Sequence, residues 1–241
     1  MKKLFLGKAI LLSVLIVFMV VPLAKGDQIA LYQSSYSYGL GGEFTARIIN
    51  STTGPDLNLN LAYYTGTTSN IGSHDPSFQT FCLEYREYFN TNTPYNITIS
   101  DRAMYGGVGS SGDPISVGTA WLYQQFTTGA LGNYNYGSNR STSAGYLQEI
   151  IWYLEGERSN YSLSNPFDDM LITQFGSISN AIADNEGKFS VAVLNIYDSN
   201  GGFHQDQLVL APVPEPSTIL LIGSGLIGFG IFGRKRFRRK K

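Results

Sequence analysis

Cys82 is the single cysteine in a chain of 241 residues, set in Phe81-Cys82-Leu83-Glu84, and its chemistry depends on what meets its sulfur. A buried, unreactive thiol is the usual fate of one cysteine. Three reactive alternatives compete with it. A thiolate nucleophile needs a base, for which the chain offers His74 and His204. An intermolecular disulfide needs an exposed sulfur; alternation with Phe81 and Leu83 puts Cys82 on one strand face with Thr80 and Glu84, open to exposure. An internal thioester needs a glutamine amide carbon held against the sulfur in a dry pocket, with donors on its carbonyl oxygen. Gln148 is the candidate partner, in Leu147-Gln148-Glu149-Ile150-Ile151-Trp152. That segment reads as helix, with Trp152 one turn on and placed to roof the bond. A plain core-facing helix shows the same spacing. Glu149 points about 100° away from Gln148, and Glu84 is expected to be solvated rather than to act as a base.

The elements that must position these residues read as α+β: sandwich-like or barrel-like strands around a helical insert. Strands are expected at Gln28–Tyr36, Glu43–Ile49, Leu57–Tyr64, Gln79–Phe89, Tyr95–Ser100, Lys188–Tyr197 and Gln207–Leu210 by alternation and β-branched or aromatic richness. In Lys188–Tyr197 both faces are partly apolar, which predicts a strand covered on both sides. Helices are expected at Val117–Phe126, at Ser143–Glu155 with Ser/Thr caps and Gly156 as stop, and from Pro166-Phe167-Asp168-Asp169 toward Ala183.

Charge is segregated along the chain. Eleven of the 17 basic residues lie in 1–26 and 234–241, leaving six against all 18 acids in 27–233, a net charge of −12 there. Such a middle repels phosphate and argues against nucleic-acid binding. One cysteine and two histidines give no zinc-knuckle or His-rich metal set, so no metal or cofactor is expected. Glu84/Glu87 and Asp168/Asp169 do not form a convincing glycosidase pair. Asp198-Ser199-Asn200-Gly201-Gly202 reads as a turn. Tyr32, Tyr36, Tyr38, Tyr134 and Tyr136 offer rings for stacking on sugar.

Both ends read as addresses. Basic Met1–Lys8, apolar Ala9–Val21 and Ala24-Lys25-Gly26 make residues 1–26 a signal peptide, cut by signal peptidase before Asp27. At the other end Val213-Pro214-Glu215-Pro216-Ser217 precedes an apolar, Gly-punctuated run to Phe232 and a basic tail from Arg234. The run is short for a bilayer span, and the tail would stay cytoplasmic. This order resembles the PEP-CTERM sorting signal of Gram-negative and related bacteria. The resemblance implies recognition of Val213, Pro214, Glu215 and Pro216 by an exosortase, a short transmembrane helix within 212–241, and delivery to the cell surface or extracellular matrix.

Residues 27–211 remain as one extracellular domain. Phe81-Cys82-Leu83-Glu84 followed by Leu147-Gln148-Glu149-Ile150-Ile151-Trp152 resembles the motifs of bacterial thioester domains. Ala120–Phe126 and Asp206-Gln207-Leu208-Val209 are similar to the version found ahead of PEP-CTERM tails. The resemblance implies a Cys82–Gln148 bond shielded by Trp152, and covalent attachment to amines or hydroxyls of an extracellular protein or polysaccharide. Many such domains carry Thr before the Gln, where this chain has Leu147. Lys188 is the single lysine in 27–233, so few internal amines compete for such a bond. The function expected is covalent-capable adhesion rather than turnover. The alternative is a noncatalytic structural or carbohydrate-associated matrix protein with an inert Cys82.

Overall fold

The computed structural model describes residues 27–39, 41–50, 77–104, 112–162 and 164–210. The expected signal helix, the expected strand Leu57–Tyr64, His74, and the sorting segment with its short helix lie outside the described residues. Along the chain run β1 (Gln28–Tyr38), β2 (Gly41–Asn50), β3 (Ser77–Thr80), β4 (Pro94–Ser100), β5 (Arg102–Ala103) and β6 (Asp113–Pro114). Then come α1 (Val117–Thr127), α2 (Arg140–Leu154), α3 (Asp168–Phe175), α4 (Ile178–Ala181), β7 (Val191–Tyr197) and β8 (Gln207–Leu210). The fold is α+β, rich in sheet.

Six antiparallel strands form one sheet in the order β3-β2-β1-β4-β7-β8, while β5 and β6 make a small ribbon. The two ends of the large sheet meet. Just past β3, Leu208 N–H donates to the Phe81 carbonyl (3.1 Å) and Leu83 N–H donates to the Asp206 carbonyl (3.0 Å). Thr80 Oγ1 adds a bond to the Leu208 carbonyl at 2.7 Å. The sheet thus closes on itself, and Cys82, opposite Gln207, sits in the seam.

Two cores lie on either side of this curved sheet. Ile29, Leu31, Ala46, Phe78, Tyr95, Ile97, Ala192, Leu194, Ile196 and Val209 form one. Phe81, Leu83, Val191, Val193 and Leu208 join α1 and α2 in the other. Alternate residues of β7 therefore serve different cores, as its two apolar faces predict.

Local signals explain where helices start and stop. Ser116 caps α1, its Oγ accepting from Thr119 N–H at 3.1 Å. Gly156 follows α2 with φ +73, and Gly176 ends α3 with φ +82. The helix expected to run to Ala183 is therefore broken into α3 and α4 by that glycine. The expected Ser/Thr cap of α2 is also corrected. The helix begins at Arg140, and Ser143 Oγ instead accepts from Asn135 N–H at 3.0 Å.

At its first residue, Arg140, α2 carries a buried ion pair. Arg140 Nε and Nη2 donate to Glu43 of β2 at 2.6 and 2.9 Å, and Tyr134 Oη bonds the same carboxylate. Arg140 also lies 4.4 Å from the Tyr36 ring centroid. Both charges are out of solvent, so each depends on the other: removing one partner strands the second. Glu43→Ala is expected to lower the unfolding free energy by about 3–5 kcal/mol, read by urea denaturation; a loss below 1 kcal/mol would show that the pair behaves as a surface bridge.

Candidate functional site

The site is built where β2 and the segment after β3 part company. Pairing between these strands runs from Arg47↔Ser77 to Phe44↔Thr80 and then ends. Residues 81–83 turn to β8 instead, so the strand expected over Gln79–Phe89 is cut to Ser77–Thr80 plus a single bridge at Cys82. In that bridge the flanking bonds belong to Phe81 and Leu83, so the N–H and C=O of Cys82 face away from β8. They need partners, because an orphaned backbone group in a protein interior is costly.

Gln148 supplies both. Cys82 N–H donates to Gln148 Oε1 at 3.1 Å, and Gln148 Nε2 donates to the Cys82 carbonyl at 2.8 Å. The side-chain amide stands in for a missing strand. Cys82 is 0% and Gln148 1% exposed. The structure therefore brings together two residues 66 positions apart, and the exposed sulfur needed for an intermolecular disulfide is ruled out by burial. The arrangement is the unreacted one, with Cys82 a thiol and Gln148 an intact amide. Burial pushes the thiol's pKa strongly upward, opposed by the hydrogen bond from Gln207.

Room for the Gln148 side chain comes from Gly41. A Cβ there would stand 2.5 Å from Gln148 Cγ and 2.7 Å from Trp152 Cη2. One turn earlier on α2, a Cβ on Gly145 would strike the Tyr38 ring at 2.6 Å. Gly145, Gln148 and Trp152 thus line one face of α2 against the β1–β2 hairpin. Trp152 is 5% exposed and meets Tyr85 edge-on at 4.9 Å. Its indole N–H is buried with no hydrogen-bond partner among the described residues.

Glu84 corrects an expectation. It is buried, not solvated, because the chain turns inward with β8: its Oε2 accepts from Asp206 N–H at 2.7 Å. Asp206 in turn accepts from Met104 N–H (2.8 Å), Asn195 Nδ2 (2.8 Å) and Ile196 N–H (3.0 Å). Burial raises Glu84 well above the ordinary carboxylate range and Asp206 to about 6. Burial likewise raises Glu155, bonded by Ser116 Oγ at 2.8 Å, to about 7.

The remaining candidates scatter. His204 is engaged by the Tyr88 carbonyl (3.2 Å), the Tyr95 ring (4.7 Å between centroids) and Asp198 (3.8 Å), while the polar group on the Cys82 sulfur is Gln207. Tyr134, read as a sugar-stacking ring, is a core residue bonded to Glu43. Asp198 Oδ1 accepts from Asn200 and Gly202 N–H, closing the expected turn. Gln207 entered only inside the motif Asp206-Gln207-Leu208-Val209, with no role of its own, and the Glu43–Arg140 pair was not singled out by spacing or motif.

Among known families, one match decides the C-terminal segment. Residues 212–239 match the PEP-CTERM protein-sorting motif. The chain carries the signal of an exported protein that an exosortase processes at the membrane and sorts to the surface. No curated protein and no solved structure matches. Among the described residues no helix is long and apolar enough to cross a membrane.

Two outcomes are expected. Gly41→Ala forces Gln148 from its seat and costs about 1–3 kcal/mol by overpacking; crystallography of the variant would show Gln148 displaced from Cys82, and an unmoved amide would contradict the packing account. The second concerns pH. Glu84, Asp206 and Glu155 bind protons more tightly in the fold than in the unfolded chain, where the ordinary values are 4.5 for Glu and 3.8 for Asp. Their contribution is full below those values and is lost as pH rises through about 6 and 7. Thermal unfolding should therefore show a more stable chain at pH 5 than at pH 8, with Glu155→Gln narrowing the gap; equal stability at both would refute the burial effect.

Proposed function

We propose that the described domain forms an internal thioester between Cys82 and Gln148 and uses it for covalent adhesion at the cell surface. The observation that carries this reading is the double hydrogen bond between the Gln148 amide and the Cys82 backbone. It fixes the acyl group beside the sulfur's own residue and puts an N–H donor on the oxygen that becomes negative when sulfur adds to the amide carbon.

Sγ adds to Cδ of Gln148, and Oε1 takes up charge against Cys82 N–H. The thiol proton passes to Nε2, the C–N bond breaks, and ammonia leaves. A Sγ–Cδ bond remains in a site from which water is excluded by Trp152, Tyr85 and the hairpin tip. A primary amine of an extracellular protein or polysaccharide then adds to Cδ; the S–C bond breaks, the sulfur recovers a proton, and a stable amide links Gln148 to its target. No turnover follows, because the glutamyl group is consumed.

Export, surface sorting and a buried thiol favour this reading over a secreted cysteine hydrolase, whose thiolate would need a base. His204 is committed elsewhere. A noncatalytic matrix role with an inert Cys82 is the second reading, since burial alone would also protect a free thiol.

Methylamine decides between them. Incubated with the full-length chain in mild detergent, it is expected to add at Gln148 and to release one titratable thiol, both abolished by Cys82→Ala. Peptide mapping that finds Gln148 unmodified and Cys82 free before treatment would leave only the matrix reading.

A further inference from the structure

Gln207 faces Cys82 across the seam. Bonds from Leu208 N–H to Phe81 and from Leu83 N–H to Asp206 flank the pair, the arrangement in which opposed antiparallel side chains come closest. Gln207 Nε2 donates to Cys82 Sγ at 3.5 Å and to the Gln205 carbonyl at 3.1 Å. Its Oε1 is buried without a partner among the described residues. Such an oxygen is a standing cost, which an apolar residue like the following Leu208 or Val209 would not incur. The backbone that carries Gln207 is fixed by the three bonds to the Asp206 carboxylate. The sulfur meets this amide at its nitrogen, which offers sulfur no carbon to attack, whereas the Gln148 amide has a donor on its oxygen.

We propose that Gln207 is the sulfur-positioning residue of the Cys82–Gln148 reaction, its N–H holding Sγ in both chemical steps. The inference rests on the thioester reading. In bond formation the Gln207 donor orients the thiol lone pair toward Cδ of Gln148; the S–H proton ends in the departing ammonia, and Gln207 gains and loses nothing. In bond opening the incoming amine adds to Cδ, and the sulfur leaves with the bonding electron pair. In a seam closed to water that thiolate is strongly disfavoured. The Gln207 N–H stabilises it until it takes the proton released by the amine. The carboxyl groups nearest this event, Glu84 and Asp206, are held protonated more readily than usual by burial, which spares the thiolate a full pair of neighbouring negative charges.

The test compares wild type with Gln207→Met, similar in length and volume but without the donor, in full-length chains purified in mild detergent. Intact mass reads the ammonia lost on bond formation, and the rate of methylamine addition reads opening. Alkylation of the freed thiol against pH reads the sulfur itself, which a merely structural role would not move. Hydrogen bonds to charged groups set the scale. Wild type short by one ammonia, with Gln207→Met folded but opened about 10- to 100-fold more slowly and its thiol titrating at higher pH, is the expected result. Equal mass deficit, rate and thiol titration in the two chains would overturn the assignment and leave the thioester standing. A wild-type chain of full mass would overturn the thioester reading and this assignment with it. Methylamine found on Gln207 would reverse the roles of the two glutamines and so also overturn it. Should Gln207→Met not accumulate folded, Gln207→Leu is read in the same way.

Discussion

Backbone polar groups that leave a sheet must find other partners, and at Cys82 that partner is a side chain. The chain abandons β2 after Thr80 to close the sheet against β8, leaving one N–H and one C=O of Cys82 pointing into the gap. The Gln148 amide answers both groups with one planar unit. Much else serves this contact. Gly41 leaves the space, Trp152 and Tyr85 cover it, and α2 holds its pitch over the hairpin because Arg140 is tied to Glu43. A contact that is structurally useful thus also brings the Gln148 amide onto the backbone of the cysteine residue.

Several ionisable groups of the domain are wholly or partly withdrawn from solvent. Glu43 is neutralised by Arg140 and Tyr134, a partnership whose value lies mainly in what its loss would expose. Glu84, Asp206 and Glu155 have backbone, amide and hydroxyl donors but no facing cation among the described residues, and burial moves them toward their protonated forms. Exposed Asp101 and Asp198 shift the other way, but solvent screens them and they weigh little. The acidic composition of the middle therefore overstates the charge the folded chain carries at its seam near neutral pH.

Periodicity made the sheet strands and α1–α2 legible, because β7 alternates cleanly between two cores and α2 repeats Leu147, Ile150, Ile151 and Leu154 at helical spacing. It failed where tertiary closure overrode local pattern. Gln79–Phe89 alternates like one long strand, yet residues 81–83 are drawn to β8 and the strand ends there. Glu84 looks like a solvent-facing acid in that alternation, and nothing local announces that Asp206, 122 residues on, will bury it. Arg140 and Glu43 are 97 positions apart and no spacing rule links them. Gln207 resembles an ordinary polar residue at a strand start until the seam places it on the sulfur. The sorting segment was legible for the opposite reason: its meaning lies in a contiguous order of residues.

A high-resolution crystal structure of freshly exported, unreduced protein tests the central claim most directly. Continuous density joining Sγ of Cys82 to Cδ of Gln148 at covalent distance, with the amide nitrogen gone and Oε1 still on Cys82 N–H, is the result this account requires. Two separate side chains that keep the unreacted arrangement after export, with the Gln148 nitrogen still present and bonded to the Cys82 carbonyl, would contradict it.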